Sequence, residues 1–130
     1  MPIYTSFVTV LAIALYFSTG LAVAKARGKY GVKVPATTGN ADFERVFRVQ
    51  MNTLEWMPIF LPLLWLFAFY VRDWAAALIG LVWLVGRVLY IQGYTRAAED
   101  RHRGFTIQGI ACGVLLIGAV IGIVWRMVQG

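Results

Sequence analysis

The stretch FERVFRVQMNTLEW (Phe43–Trp56) runs without a break into MPIFLPLLWLFAFYV (Met57–Val71), a segment that carries no charge. Two Arg, two Glu, a Gln and an Asn therefore stand at the mouth of a run built from Phe, Leu and Trp. Asn40 is a plausible N-cap ahead of an acidic first turn, so the whole stretch reads as one helix over about 41–71. At 1.5 Å per residue that helix is about 45 Å long, against a hydrocarbon core of about 30 Å. Its apolar half is long enough to cross most of a bilayer, and its polar half must stand in the headgroup zone or line a polar cavity.

The rest of the chain fits a membrane reading. Of its 130 residues 60% are hydrophobic, well above the roughly 45–50% of a soluble domain. Uncharged runs cover Met1–Ala24, Trp56–Val71, Trp74–Gly86 and Gly104–Trp125. With their polar flanks they predict four helices, about 3–25, 41–71, 74–101 and 105–127. Little is left for anything else, so residues 1–130 read as one all-α domain, a four-transmembrane-helix bundle. No Lys or Arg precedes the first apolar run, which argues for a retained helix rather than a signal peptide. The single Cys112 excludes an intrachain disulfide.

The net charge of +6 is explained by topology without nucleic acid. Lys25, Arg27, Lys29, Lys33, Arg45 and Arg48 cluster around the first connection, and Arg87, Arg96, Arg101 and Arg103 around the third. Only Arg72 and Arg126 lie at the opposite ends. The positive-inside rule then puts the first and third connections in the cytoplasm and both termini outside.

Two polar stripes emerge at 100° per residue. On the second helix Glu44, Arg45, Arg48, Asn52 and Glu55 share an arc of roughly 100°, while Gln50 points elsewhere. On the third, Arg87, Tyr90, Tyr94 and Arg101 fall within roughly 60°. Glu55 lies about 24 Å along the axis from Val71, at the edge of the hydrocarbon, where ionisable groups are costly and usually face a cavity. The residues alone leave two readings open. In one, Arg48 pairs with Glu55 and Arg87 snorkels, giving a salt-bridged bundle without a ligand. In the other, Arg27, Arg45, Arg48, Arg87 and Arg101 outnumber Glu44 and Glu55 because they receive a small ligand with several carboxylates and an amine. No phosphate loop, metal-ligand spacing or Ser/His/Asp set is visible. His102 and Cys112 give no catalytic signal, and Gly109 with Gly113 and Gly118 with Gly122 read as close-packing steps.

PATTGNADFERVFRVQMNTLEWMPIFLP (Pro35–Pro62), GRVLYIQGYTRAAEDR (Gly86–Arg101) and the order of four spans resemble the MAPEG family, the membrane-associated proteins in eicosanoid and glutathione metabolism. The resemblance implies a homotrimer that binds glutathione between neighbouring subunits near the cytoplasmic edge. It assigns Arg48, Asn52, Glu55, Trp56, Tyr90 and Tyr94 to the glutathione site of one subunit, with Arg27 and Gln50 supplied by the neighbour. Arg101 matches the arginine beside the glutathione sulfur in catalytic members. Gly28 and Trp56 replace an arginine and a tyrosine of the leukotriene-forming members, and an aromatic is missing near Gly113. The implied activity is thus a general glutathione transferase acting on lipophilic electrophiles, with lipid hydroperoxides as a further substrate class. A non-enzymatic lipid-binding scaffold is the alternative. A small multidrug exporter is disfavoured because Met1–Ala24 holds no acidic residue. The expected location is a bacterial inner membrane in preference to the endoplasmic reticulum.

Overall fold

A computed structural model describes residues 1–97 and 101–130. It contains four helices: α1 (Ile3–Tyr30), α2 (Ala41–Tyr70), α3 (Asp73–Arg96) and α4 (His102–Gln129), with no strand among the described residues. Each is long and apolar enough to cross a membrane. α2 and α3 form the middle of the bundle, each packing against the other three helices.

α2 begins where its cap predicts: Asn40 accepts a hydrogen bond from the Phe43 N–H at 3.0 Å. The helix then runs unbroken through Pro58 and Pro62, both on exposed positions. Its inward stripe of Met57, Phe60, Leu64 and Phe67 fills the core, with Phe60 stacked on Trp83 of α3 at 3.9 Å between ring centroids and 5° between planes. Val8 and Ala12 of α1 and Ala111 and Leu115 of α4 close around that pair. The large apolar side chains left outside, such as Phe7, Phe17 and Leu21 on α1 or Ile117 and Ile121 on α4, are more than half exposed, as lipid-facing residues must be.

Three boundaries differ from the predicted ones. α1 does not stop at Lys25 but continues to Tyr30. Lys25, Arg27 and Lys29 are good helix formers whose heads reach the headgroup zone, and the stop comes from Gly31 in the left-handed region (φ 68°), its N–H returning to the Arg27 carbonyl. α3 ends at Arg96, with Ala97 extended (φ −161°), instead of reaching Arg101; positions 98–100 of that expected segment lie outside the described residues. α4 starts at His102 rather than Phe105, so Arg101 belongs to the start of α4 and not to the α3 stripe.

The far end of the bundle is fastened by Asp73, which falls in the two-residue gap between the second and third predicted helices. Its carboxylate accepts from the Thr5 N–H at 2.9 Å and the Tyr4 N–H at 3.1 Å, two first-turn donors of α1 that no helical carbonyl can satisfy. Asp73→Ala is expected to lower the melting midpoint, since it leaves two first-turn N–H groups of α1 without their side-chain acceptor. Thermal melting in detergent checks this, and an unchanged midpoint contradicts it.

Candidate functional site

At the opposite end, α2, α3 and the start of α4 enclose an open cleft of about 430 Å³. Arg48 and Asn52 line it from α2, Tyr90 and Tyr94 from α3, and Arg101, His102 and Phe105 from the beginning of α4. The volume lies in the range of small-molecule pockets.

Glycines determine how closely the walls approach. A Cβ on Gly104 would stand 2.1 Å from the Tyr90 nitrogen, and one on Gly86 would stand 2.6 Å from the Gln108 nitrogen. α3 and α4 thus touch backbone to backbone, which brings the start of α4 against Tyr90. Aromatic contacts hold the walls in place. Tyr90 and Tyr94, one turn apart, stack at 5.5 Å. Phe105 packs on Tyr90 at 6.2 Å and meets Trp56 edge-on at 5.7 Å. The Arg101 guanidinium carbon lies 5.8 Å from the Tyr94 ring centroid.

The expected α2 stripe is divided among different tasks. Glu44 accepts from the Gly39 N–H at 3.3 Å and Arg45 pairs with Asp42, which leaves Arg48 and Asn52 for the cleft. Arg48 and Glu55 form no ion pair. Arg87 does not snorkel: it is fully buried beneath the cleft, its Nη1 donating to Asn52 Oδ1 at 2.8 Å and its Nη2 to Thr53 Oγ1 at 2.6 Å. Arg87 therefore cannot count among cations offered directly to a ligand. Even so, Arg48 and Arg101 line the cleft with two phenols, Asn52 and His102, and no carboxylate is among its described lining residues. α4 adds to this positive pole, since its first turn holds no acidic residue and a helix N-terminus carries the positive end of the helix dipole. The arrangement is suited to an anionic ligand rich in acceptors.

Of the nine residues singled out from the sequence, the structure brings Arg48, Asn52, Tyr90, Tyr94 and Arg101 together on this cleft. Trp56 stands behind it, in contact with Phe105. Glu55 is exposed on the outer side of α2. Gln50 lies on the α1 side, where its amide nitrogen would be 3.3 Å from a Cβ on Gly20. Arg27 donates to the Ala36 carbonyl at 2.7 Å and the Val32 carbonyl at 3.4 Å and lies 5.0 Å from the Phe43 ring centroid. Sequence reasoning missed His102 and Phe105 as lining residues, because it started the fourth helix at Phe105 and left His102 in the loop before it. The one available signal was helical spacing: Arg101 and Phe105 are four residues apart and share a face once the helix is extended backwards.

Comparison with known proteins matches residues 5–121 to the MAPEG family. An uncharacterized protein of Synechocystis sp. is 50% identical over 127 residues, covering 98% of this chain and 93% of its own length. Microsomal glutathione S-transferase 2 of Homo sapiens is 46% identical over 106 residues, covering 81% of this chain and 71% of its own length. Leukotriene C4 synthase of Bos taurus is 39% identical over 116 residues, covering 89% and 77% respectively. With four membrane-spanning helices and a match across almost its whole length, this chain belongs to the MAPEG family of integral, multi-pass membrane proteins.

Proposed function

We propose that the cleft binds glutathione and presents its sulfur, as a thiolate, to lipophilic electrophiles, so that the protein is a membrane-bound glutathione transferase. The observation that carries this reading is the convergence of Arg48, Asn52, Tyr90, Tyr94 and Arg101 on one cleft, from α2, α3 and the start of α4. Relatives named as a glutathione transferase and a leukotriene C4 synthase support it.

Arginines hold carboxylates bidentately, and phenols and an amide N–H group meet the peptide carbonyls. Arg101 supplies positive charge near the sulfur. A thiol with a pKa of about 8.5 is mostly protonated at pH 7, and a neighbouring guanidinium favours the thiolate. The thiolate electron pair forms a C–S bond as the leaving group departs with its own pair, and no covalent enzyme intermediate is required. With a lipid hydroperoxide the same thiolate cleaves the O–O bond. The products are the lipid alcohol and glutathione sulfenic acid, which a second glutathione converts to the disulfide and water.

We read the working form as a homotrimer with each site shared between subunits. Gln50 is turned about 160° from both Arg48 and Asn52 around α2, and Arg27 is engaged at the end of α1. If both reach the same glutathione, they do so from a neighbouring copy, the head-to-tail contact that closes into a ring. Glu55, exposed at an apolar depth, is then covered by that neighbour, where the glutathione amine is its counter-charge. The cleft sits at the end of the bundle bearing Lys25, Arg27, Lys29, Lys33 and Arg103, so it faces the cytoplasm under the positive-inside rule. The 50% identity to a Synechocystis protein favours a bacterial membrane.

Detergent-purified protein is expected to conjugate glutathione to a chlorinated dinitroaromatic. Arg48→Ala is expected to raise the Kd for glutathione about tenfold, the value of one charge-assisted hydrogen bond to a ligand carboxylate. Equal affinity of wild type and variant by calorimetry counts against the site. Binding without turnover in wild type moves the non-enzymatic scaffold ahead.

A further inference from the structure

Arg87 has no task in the chemistry above, yet it is a fully buried cation that donates to two neutral side chains, Asn52 and Thr53. Its Nε has no hydrogen-bond partner among the described residues. Such a group is costly, and a bundle that needed only stability gains as much or more from an apolar side chain of similar volume.

What Arg87 touches explains its presence. The Thr53 hydroxyl donates its hydrogen to the Val49 carbonyl at 2.7 Å, so a lone pair is left facing Arg87 Nη2. The neighbouring contact fixes an amide. A guanidinium has donors and no acceptor, so the edge of Asn52 that faces it must be the oxygen. The Asn52 NH₂ group is thereby left for the cleft that Asn52 lines. The same guanidinium carbon lies 4.3 Å from the centroid of the Tyr90 ring, a second wall of the cleft.

We infer that Arg87 is a positioning residue for glutathione binding that acts through Asn52: it locks the Asn52 amide with its two N–H groups toward the cleft. The inference rests on the glutathione reading of that cleft and adds a residue that the resemblance does not assign. Without Arg87 the amide rotates freely between donor and acceptor orientations, and binding must order it afresh.

Glutathione binding is measured by calorimetry on full-length protein in detergent, for wild type, Arg87→Gln, Asn52→Ala and the double variant. Arg87→Gln is expected to weaken binding about tenfold. In the Asn52→Ala background the same change is expected to weaken it less than about twofold, because a residue acting through Asn52 loses its effect when Asn52 is gone. A Kd for Arg87→Gln equal to that of wild type overturns the inference, as does an undiminished tenfold loss in the Asn52→Ala background. If Arg87→Gln does not fold, Arg87→Lys takes its place. Its single ammonium cannot serve both Asn52 and Thr53, and the expected loss of about threefold must likewise vanish when Asn52 is alanine. Failure of wild type to bind glutathione removes the cleft reading and this inference together, an outcome distinct from normal wild-type binding with an unaffected Arg87 variant.

Discussion

Arg101→Ala leaves glutathione affinity within a few-fold of wild type and lowers the conjugation rate by about two to three orders of magnitude, the usual effect of deleting one preorganised charge partner of a reacting anion. The reasoning is positional. Arg101 sits at the start of α4 with its guanidinium near the Tyr94 ring, across the cleft from Arg48 and Asn52 on α2. Arg48 and Asn52 suit the carboxylate and peptide groups of the ligand, and Arg101 then lies at the other wall for the sulfur. A cation that meets charge on the thiolate acts on the reactive state more than on binding, so kcat falls and KM barely moves. Thiolate absorbance followed across pH gives the second readout: in the variant the bound thiol titrates nearer its free value of about 8.5. Each unit of that return corresponds to 1.36 kcal/mol. If activity falls while the bound thiol titrates as in wild type, Arg101 acts on the electrophile or on structure instead.

Several features of this end of the molecule were legible in the sequence because they rest on local rules. The uncharged runs gave the four crossings, Asn40 gave the start of α2, and 3.6-residue spacing put Arg48 with Asn52 and Tyr90 with Tyr94. Gln50, placed off that face by the same arithmetic, lies on the α1 side. What was not legible depends on contacts between distant segments. Nothing local distinguishes Arg87, which binds Asn52 thirty-five positions away, from a snorkelling arginine at the same depth. Nor does Asp73 announce that it caps a helix sixty-eight residues earlier. The glycines divide in the same way. Gly118 and Gly122 do meet a neighbour, since a Cβ there would stand 2.2 Å from the Phe67 ring and 2.8 Å from the Tyr70 carbonyl, whereas Gly109 and Gly113 meet nothing within 4 Å. A small-residue step states that a close approach is permitted and leaves open which helix makes it. Arg101 was assigned to the site through a resemblance and to the wrong helix through periodicity. α3 ends at Arg96 and α4 starts at His102, and the sequence between them holds no Pro or Gly to mark the break.

The glycine with the largest consequence is one that enters the sequence reading only as the first residue of the last uncharged run, Gly104. Gly104→Ala is expected to cost about 3 kcal/mol and to abolish glutathione binding at millimolar concentrations. Its new Cβ would lie 2.1 Å from the Tyr90 nitrogen, 2.5 Å from the Gly86 carbonyl oxygen and 2.7 Å from the Tyr90 Cα. All three are backbone atoms of α3, so no side chain can rotate away and the two helices must separate. Separation acts on the cleft directly, because Tyr90 and Tyr94 ride on α3 while Arg101, His102 and Phe105 ride on the start of α4. Gly118→Ala is the internal comparison. Its Cβ would also clash, at 2.2 Å, but against the Phe67 ring on the far side of the bundle from the cleft. A ring can tilt where a backbone cannot, so that variant is expected to lose less stability and to keep its affinity for glutathione. Melting of both variants in detergent, with glutathione binding by calorimetry, decides the matter. Equal losses in the two would mean that close packing anywhere in α4 matters alike. A Gly104→Ala protein that melts and binds as wild type would falsify the backbone contact between α3 and α4 on which the geometry of the cleft depends.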